Sequence, residues 1–136
     1  MRELSREISV AQSLTPTVLR TASASGATVD LATYEGATFI IDCGVITDGT
    51  HTVVLQESDT DVDGNFTAIA DADLVGSEPA MTSVNDSQIF KIGYTGSKRY
   101  VRTRVVVTDA PQTGGYYVGN VIRSRQRHNP TGSTQV

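Results

Sequence analysis

The period of the apolar residues is the feature that most restricts the fold of this chain. Short runs rich in Val, Ile, Thr, Tyr and Phe recur along the sequence, and Gly, Asp, Asn and Ser separate them. Such runs are typical of β-strands that end in turns. No window of about 11–18 residues has apolar residues at the i, i+3, i+4, i+7 spacing of an amphipathic helix. The pattern therefore predicts an all-β chain.

The most clearly defined strand is predicted over residues 38–46. Alternation along this strand places one set of side chains on a single face, namely Phe39, Ile41, Cys43 and Val45. Asp48 and Gly49 follow, and an Asp-Gly pair is a strong signal for a tight hairpin turn. We therefore predict a hairpin whose second strand covers residues 51–57, with Val53 and Leu55 on one face.

Further strands are predicted from the same signals. They cover residues 18–21, 28–31, 66–69, 88–94, 99–108 and 116–125. In the last strand, alternation puts Tyr116, Val118 and Ile122 on one face. Turns every 8–12 residues or so are typical of a β-sandwich or small barrel. We expect one antiparallel β-sandwich of about seven to eight strands, jelly-roll or Ig-like, over residues 18–127. An extended N-terminal arm (residues 1–17) and a flexible C-terminal tail (residues 128–136) complete the prediction.

The cellular environment is predicted from what the sequence lacks. The first seven residues are charged and contain no apolar core of a signal peptide, and no apolar stretch is long enough to span a bilayer. We therefore expect a protein that is made in the cytoplasm and has no membrane partner. The single cysteine, Cys43, lies in an apolar run and is interpreted as a small buried hydrophobic residue.

Sequence motifs for catalysis are missing. The chain contains no nucleophile elbow and no phosphate loop, and its histidines, His51 and His128, lack partners at metal-ligand spacing. His51 is expected to be a solvated residue at the start of a strand. We therefore expect neither enzymatic activity nor a cofactor.

The acidic loop at residues 59–65 matches the opening of a calcium loop, with Asp59, Asp61, Asp63 and Gly64 in place. The twelfth position should be a glutamate and is Ala70. An Asp- and Gly-rich hairpin loop explains the segment without a metal, and whether it binds an ion stays open.

Charge is unevenly distributed along the chain. Residues 1–90 carry 3 basic and 14 acidic side chains, whereas residues 91–136 carry 8 basic and 1 acidic, within a net charge of −4. One explanation is that strands of both halves interleave and their charges pair locally. The alternative is self-association, in which the basic part of one copy meets the acidic part of another. From the split we expect a homo-oligomer, either a trimer or a dimer.

Arginines form the predicted interaction site. Arg102 and Arg104 share one face of a strand with Tyr100, and a second group shares one face of the last strand, namely Arg123, Arg125 and Arg127. If these strands are neighbours, five guanidinium groups form one basic patch suited to carboxylates or phosphates. The chain is acidic overall, and Tyr100 is the one aromatic residue beside these arginines. Both features argue against nucleic acid and favour a protein partner.

Three stretches of sequence carry a resemblance to a known family. They are residues 35–49 (EGATFIIDCGVITDG), residues 54–59 (VLQESD) and residues 92–102 (IGYTGSKRYVR). The chain resembles, over roughly residues 30–125, the small capsid-associated proteins of tailed bacteriophages. It departs from that pattern in its longer loop at residues 59–65 and in its C-terminal end.

The resemblance implies a structural virion protein with a β-sandwich fold and no cofactor. Its implied role is capsid decoration (cement), in which the protein binds and stabilises the lattice of the major capsid protein on the virion surface. A head–tail junction or tail-associated role is an alternative. A carbohydrate- or receptor-binding module is another, with Tyr116 and Tyr117 as its aromatic residues.

Overall fold

A computed structural model of the chain describes residues 4–16 and 19–126. Within these residues the structure is all-β, as predicted. Its strands are β1 (Ile8–Leu14), β2 (Ala24–Ser25), β3 (Val29–Asp30), β4 (Tyr34–Ile46), β5 (Thr50–Ser58), β6 (Thr67–Ala68), β7 (Leu74–Val75), β8 (Ala80–Met81), β9 (Ile89–Tyr94), β10 (Tyr100–Thr108) and β11 (Gly115–Gln126). Single 3-10 turns occupy Leu4–Arg6, Asp63–Asn65, Asp71–Asp73 and Ser83–Asn85. No helix of the described residues has the length and apolar character needed to cross a membrane.

The strands form two antiparallel sheets. The first sheet has the order β1-β11-β4-β9-β7, and the second has the order β2-β10-β5-β6, with β3 beside β10 and β8 beside β5. Between the sheets lies one apolar core, to which both contribute. Its fully buried members include Phe39, Ile41, Leu55, Ile92, Val101 and Val121. The predicted β-sandwich is therefore confirmed.

The N-terminal part of the chain belongs partly to the first sheet. Residues 8–14 of the predicted arm form β1, the edge strand beside β11, and Leu14 is buried in the core. The strand predicted over residues 18–21 is absent from the described part of that segment, where Arg20 makes one isolated bridge with Gly115. Residues 1–3, Thr17, Val18 and the predicted tail lie outside the described residues.

One edge of the sandwich is closed by Ser13. Its hydroxyl donates to the Ala27 carbonyl (2.7 Å) and accepts from the Thr103 amide (2.9 Å), which belongs to β10 of the second sheet. Gly26 packs so close to the Ser13 backbone that a β-carbon there would clash. The end of β1 therefore holds the two sheets together where they would otherwise separate.

A β-bulge near the end of β4 changes which residues face the core, so the predicted position of Val45 is wrong. Cys43 pairs with Tyr117 but Ile46 pairs with Gly115, so two residues of β4 oppose one residue of β11. The extra residue reverses the alternation. Ile46 therefore enters the core, whereas Val45, which was predicted to lie beside Cys43, is 57% exposed.

The buried face of β11 is the one opposite to the face predicted to hold Tyr116, Val118 and Ile122. Tyr117 and Val121 are buried, whereas Tyr116 is 43% exposed. Val118 and Ile122, predicted on one face with Tyr116, are indeed on that side, but it is the outer side of the sandwich. Because β11 has apolar residues at both parities, alternation alone does not indicate which face is buried.

Candidate protein-interaction surface

The predicted arginines do not form one patch, because β10 and β11 lie in different sheets. Arg102 and Arg104 project from the second sheet, whereas Arg123 and Arg125 belong to the first. Arg127 lies outside the described residues. The basic patch required neighbouring strands, and that condition is not met.

Arg102 is held within the protein. Its guanidinium donates to Gln56 (2.7 Å) and to the Asp63 carboxylate (2.6 Å), and it lies 4.2 Å from the centre of the Phe66 ring. The residue is only 8% exposed. Because its donors and its flat face are engaged, Arg102 anchors the segment that contains Asp63 and Phe66 onto the second sheet.

Arg123 fills the space between the sheets at one end of the sandwich. It pairs with Ala37 on the inner side of the first sheet, and its guanidinium donates to Ser9 (2.8 Å) and to the Asp30 carbonyl (3.1 Å). The Tyr34 ring lies against it, 4.8 Å from the guanidinium carbon. Arg123 therefore links the first sheet to β3 of the second and is not presented to a partner.

The other predicted residues are more accessible. Tyr100 and Arg104 are partly exposed on the outer side of the second sheet, where Arg104 donates to Ser25 (2.8 Å). Arg99, which pairs with Asp30, covers one face of the Tyr100 ring at 4.9 Å. Arg125 is exposed. Of the predicted site, Tyr100, Arg104 and Arg125 therefore remain available for contacts.

Two of the three aspartates of the acidic loop pair with cations of the protein itself. Asp59 accepts from Lys98 at 2.7 Å, and Asp63 pairs with Arg102. Among the described residues no three His, Cys, Asp or Glu side chains form a group that could hold a metal ion. The geometry therefore favours the hairpin-loop interpretation over a calcium site.

His51 is buried, which corrects the prediction that it is solvated. Its Nε2 lies 3.0 Å from the Asp48 carbonyl, and its Nδ1 lies 2.8 Å from the Tyr117 hydroxyl. A carbonyl oxygen only accepts, so Nε2 carries the proton and Nδ1 accepts from Tyr117. Because Tyr117 is 2% exposed, it is not available as an aromatic platform for a carbohydrate.

Cys43 is buried, as predicted. Desolvation, with smaller contributions from the carboxylates of Asp86 and Asp42, raises the pKa of its thiol to about 11. The thiol therefore stays protonated at neutral pH and is not a nucleophile.

The outer face of the first sheet is the most unusual surface of the described residues. Directly opposed residues of antiparallel strands share one side of the sheet, so the pairing gives the composition of this face. One row across the sheet runs Val10, Ile122, Thr38, Gly93, Val75. The next row runs Gln12, Asn120, Ile40, Lys91, and the third runs Val118, Asp42, Ile89. We call these residues, together with Ile8, the outer apolar face.

Most of the outer apolar face consists of Val and Ile side chains that the fold does not bury. Val10, Val75 and Ile89 are 60%, 64% and 66% exposed. Ile40, Val118 and Ile122 between them are partly exposed. The outer faces of an antiparallel sandwich are commonly polar, so this contiguous apolar set is a candidate for a protein interface.

Two charged side chains lie on the outer apolar face. Lys91 and Asp42 occupy adjacent strands at diagonal positions, since Lys91 opposes Ile40 and Asp42 opposes Ile89. Both residues are exposed. Neither is in an ion pair of the described residues, where the pairs involve Lys98, Arg99 and Arg102. The face therefore contains one unpaired cation and one unpaired anion in an otherwise uncharged surface.

The outer face of the second sheet has a different character. Its central pairs are Tyr100–Ser58, Arg102–Gln56, Arg104–Val54, Val106–Thr52 and Thr108–Thr50. Most of these residues are polar, as expected of a solvated sheet face. The two outer faces of the sandwich are thus unlike each other.

Sequence reasoning missed the outer apolar face, although a signal for it exists. Strands β4 and β11 carry apolar residues at both parities, which is typical of strands covered on both sides.

Comparison of the chain with protein-family models, with curated protein sequences and with solved structures gives no match.

Proposed function

We propose that this chain is a structural protein of a tailed-phage virion, and that it decorates the capsid by binding the major capsid protein. The observation that carries the proposal is the outer apolar face, which contributes nothing to the core and needs a protein to cover it. The sequence resemblance at residues 35–49, 54–59 and 92–102 supplies the class of assembly.

The geometry supports an assembly role more than a catalytic one. Polar side chains of the two sheets pair across the core, as the Tyr94 hydroxyl does with the Glu57 carboxylate at 2.8 Å. The tyrosine pKa is raised by burial and then by this hydrogen bond, so Tyr94 remains a neutral donor. These groups hold the two sheets together.

A decoration protein gains affinity by repetition. Each contact with a capsid lattice can be modest if several copies are joined, because the later contacts form at a high effective concentration. In this proposal one surface joins copies or partners, and a second surface reaches the lattice. The unlike outer faces of the two sheets provide two such surfaces, and Tyr100 and Arg104 lie on the polar one.

The test is the number of copies of this chain per purified virion, measured by quantitative mass spectrometry against the major capsid protein. A copy number comparable with that of the major capsid protein is the expected result. A number that fits a single ring at the portal or tail would replace decoration by a head–tail junction role. Absence from the virion would overturn the proposal.

A further inference from the structure

The outer apolar face is large enough to form the centre of a protein interface. Each of its thirteen residues occupies about 4.8 Å across the strands and about 6.7 Å along them, so the flat area of the face is about 400 Å². A standard interface buries about 800 Å² per partner, and a corrugated face exposes more area than its flat projection. The face therefore suits the centre of an interface with one protein of similar size.

The arrangement of charge on this face indicates which partner fits. Lys91 and Asp42 are its two charged residues, they are of opposite sign, and each lacks an ion-pair partner among the described residues. A twofold axis in the plane of the face, passing midway between them, brings Lys91 of one copy to Asp42 of the other, and the reverse. Such an interface is isologous, so both ion pairs form together.

The remainder of the face is complementary to itself. Its Val and Ile side chains meet an apolar surface when they meet a copy of themselves, and its neutral polar residues carry no repulsion. The chain as a whole has a net charge of −4, but on this face the two charges cancel. A second copy therefore meets no net like charge on this face.

We propose that two copies of this chain pair through their outer apolar faces, with reciprocal Lys91–Asp42 contacts fixing the register of the dimer. This inference deepens the proposed function by naming the protein that covers the face. In the dimer the polar outer faces of both second sheets, with Tyr100 and Arg104, point away from the interface. The dimer thus has one polar face on each of its two sides, and either of them can face a capsid surface.

The experiment uses charge exchange and the mass of the complete chain in solution, measured by analytical ultracentrifugation across micromolar concentrations. The unmodified protein is expected to be a dimer. Lys91→Asp places two aspartates opposite each other, and Asp42→Lys places two lysines opposite each other. Because symmetry puts each unfavourable pair in the interface twice, we expect each variant to dissociate at a concentration about a hundredfold higher.

Two further samples make the test specific for this register. An equimolar mixture of the two single variants restores opposite charges at both contacts, so a heterodimer is expected. The double variant, Lys91→Asp with Asp42→Lys, restores them within one chain, so a homodimer is expected. Both positions are exposed, so each variant is expected to remain folded, and its circular dichroism spectrum should match that of the unmodified protein.

A matched pair of apolar substitutions tests the face itself. Ile89→Asp lies on the outer apolar face and is expected to give a monomer, whereas Val84→Asp, at an exposed apolar residue outside the face, leaves the dimer intact. A monomeric unmodified protein, or single charge variants with unchanged dissociation, would overturn the dimer. Either result is independent of the virion copy number, which tests the proposed function separately.

Discussion

The Tyr117 hydroxyl donates a 2.8 Å hydrogen bond to Nδ1 of His51, and this contact joins β11 of the first sheet to β5 of the second. The rings meet edge to face, with their centres 5.2 Å apart. Burial raises the pKa of Tyr117, so its hydroxyl keeps its proton for this bond. On the other side of the imidazole, Nε2 donates to the Asp48 carbonyl and ties the hairpin turn to the core.

Removing the Tyr117 hydroxyl should leave the buried His51 acceptor without a donor. We expect Tyr117→Phe to lower the free energy of unfolding by about 1–3 kcal/mol, the usual cost of an unsatisfied buried polar group. Tyr116→Phe is the matched control, because Tyr116 is the adjacent, exposed tyrosine. Urea unfolding of both variants makes the comparison, and equal stabilities would show that the hydrogen bond between the sheets contributes little.

Arg102 and Arg104 should respond differently to the same substitution. Arg102→Glu places a carboxylate in a nearly buried position beside Asp63 and the Phe66 ring, and we expect a loss of about 2–4 kcal/mol. Arg104→Glu affects a partly exposed side chain and should change stability by about 0.5 kcal/mol or less. Thermal unfolding distinguishes them, and similar losses would contradict the anchoring role of Arg102.

Because of the bulge in β4, substitutions at two adjacent residues should differ in their effect on stability. Ile46→Ala removes a fully buried side chain and should cost about 2–5 kcal/mol through lost burial and the cavity left behind. Val45→Ala, at the exposed position created by the bulge, should change stability by about 0.5 kcal/mol or less. Chemical denaturation of the two variants measures the difference. The opposite order would mean that regular alternation continues to the end of β4.

Much of the fold could be predicted from local sequence patterns. Alternation located β4, β5, β9 and β10, and the faces that it assigned to Phe39 and Ile41 and to Val53 and Leu55 are buried in the core. In β5 and β10 the residues that alternate with the buried ones are mostly polar, so the choice of inner face follows from the residues themselves.

The errors arose where a residue's environment depends on a distant segment. The bulge that exposes Val45 results from pairing with β11. His51 is buried against Tyr117, which is 66 residues away in the sequence. The arginine patch required β10 and β11 to be neighbours, which is a property of topology and not of either strand. The outer apolar face combines residues of five strands, so no single window of sequence contains it.

The Asp48 carboxylate predicts how stability depends on pH. It accepts backbone N–H bonds from Gly114, Gln112 (2.8 Å) and Thr113, and these bonds, that of Gly114 first, hold the pKa of the carboxyl below its usual value. A lowered pKa in the folded state stabilises the fold above the unfolded-state pKa of about 3.9, and this contribution is lost as pH falls through the lower folded value. Asp48→Asn should therefore be less stable than the unmodified protein at neutral pH, and the two unfolding curves should converge as the solution is acidified. Denaturant unfolding between neutral and acidic pH measures this directly, together with an NMR titration of the Asp48 carboxyl. A stability difference that stays constant over the whole range would mean that the charge of Asp48 does not hold the loop at residues 112–114 in place.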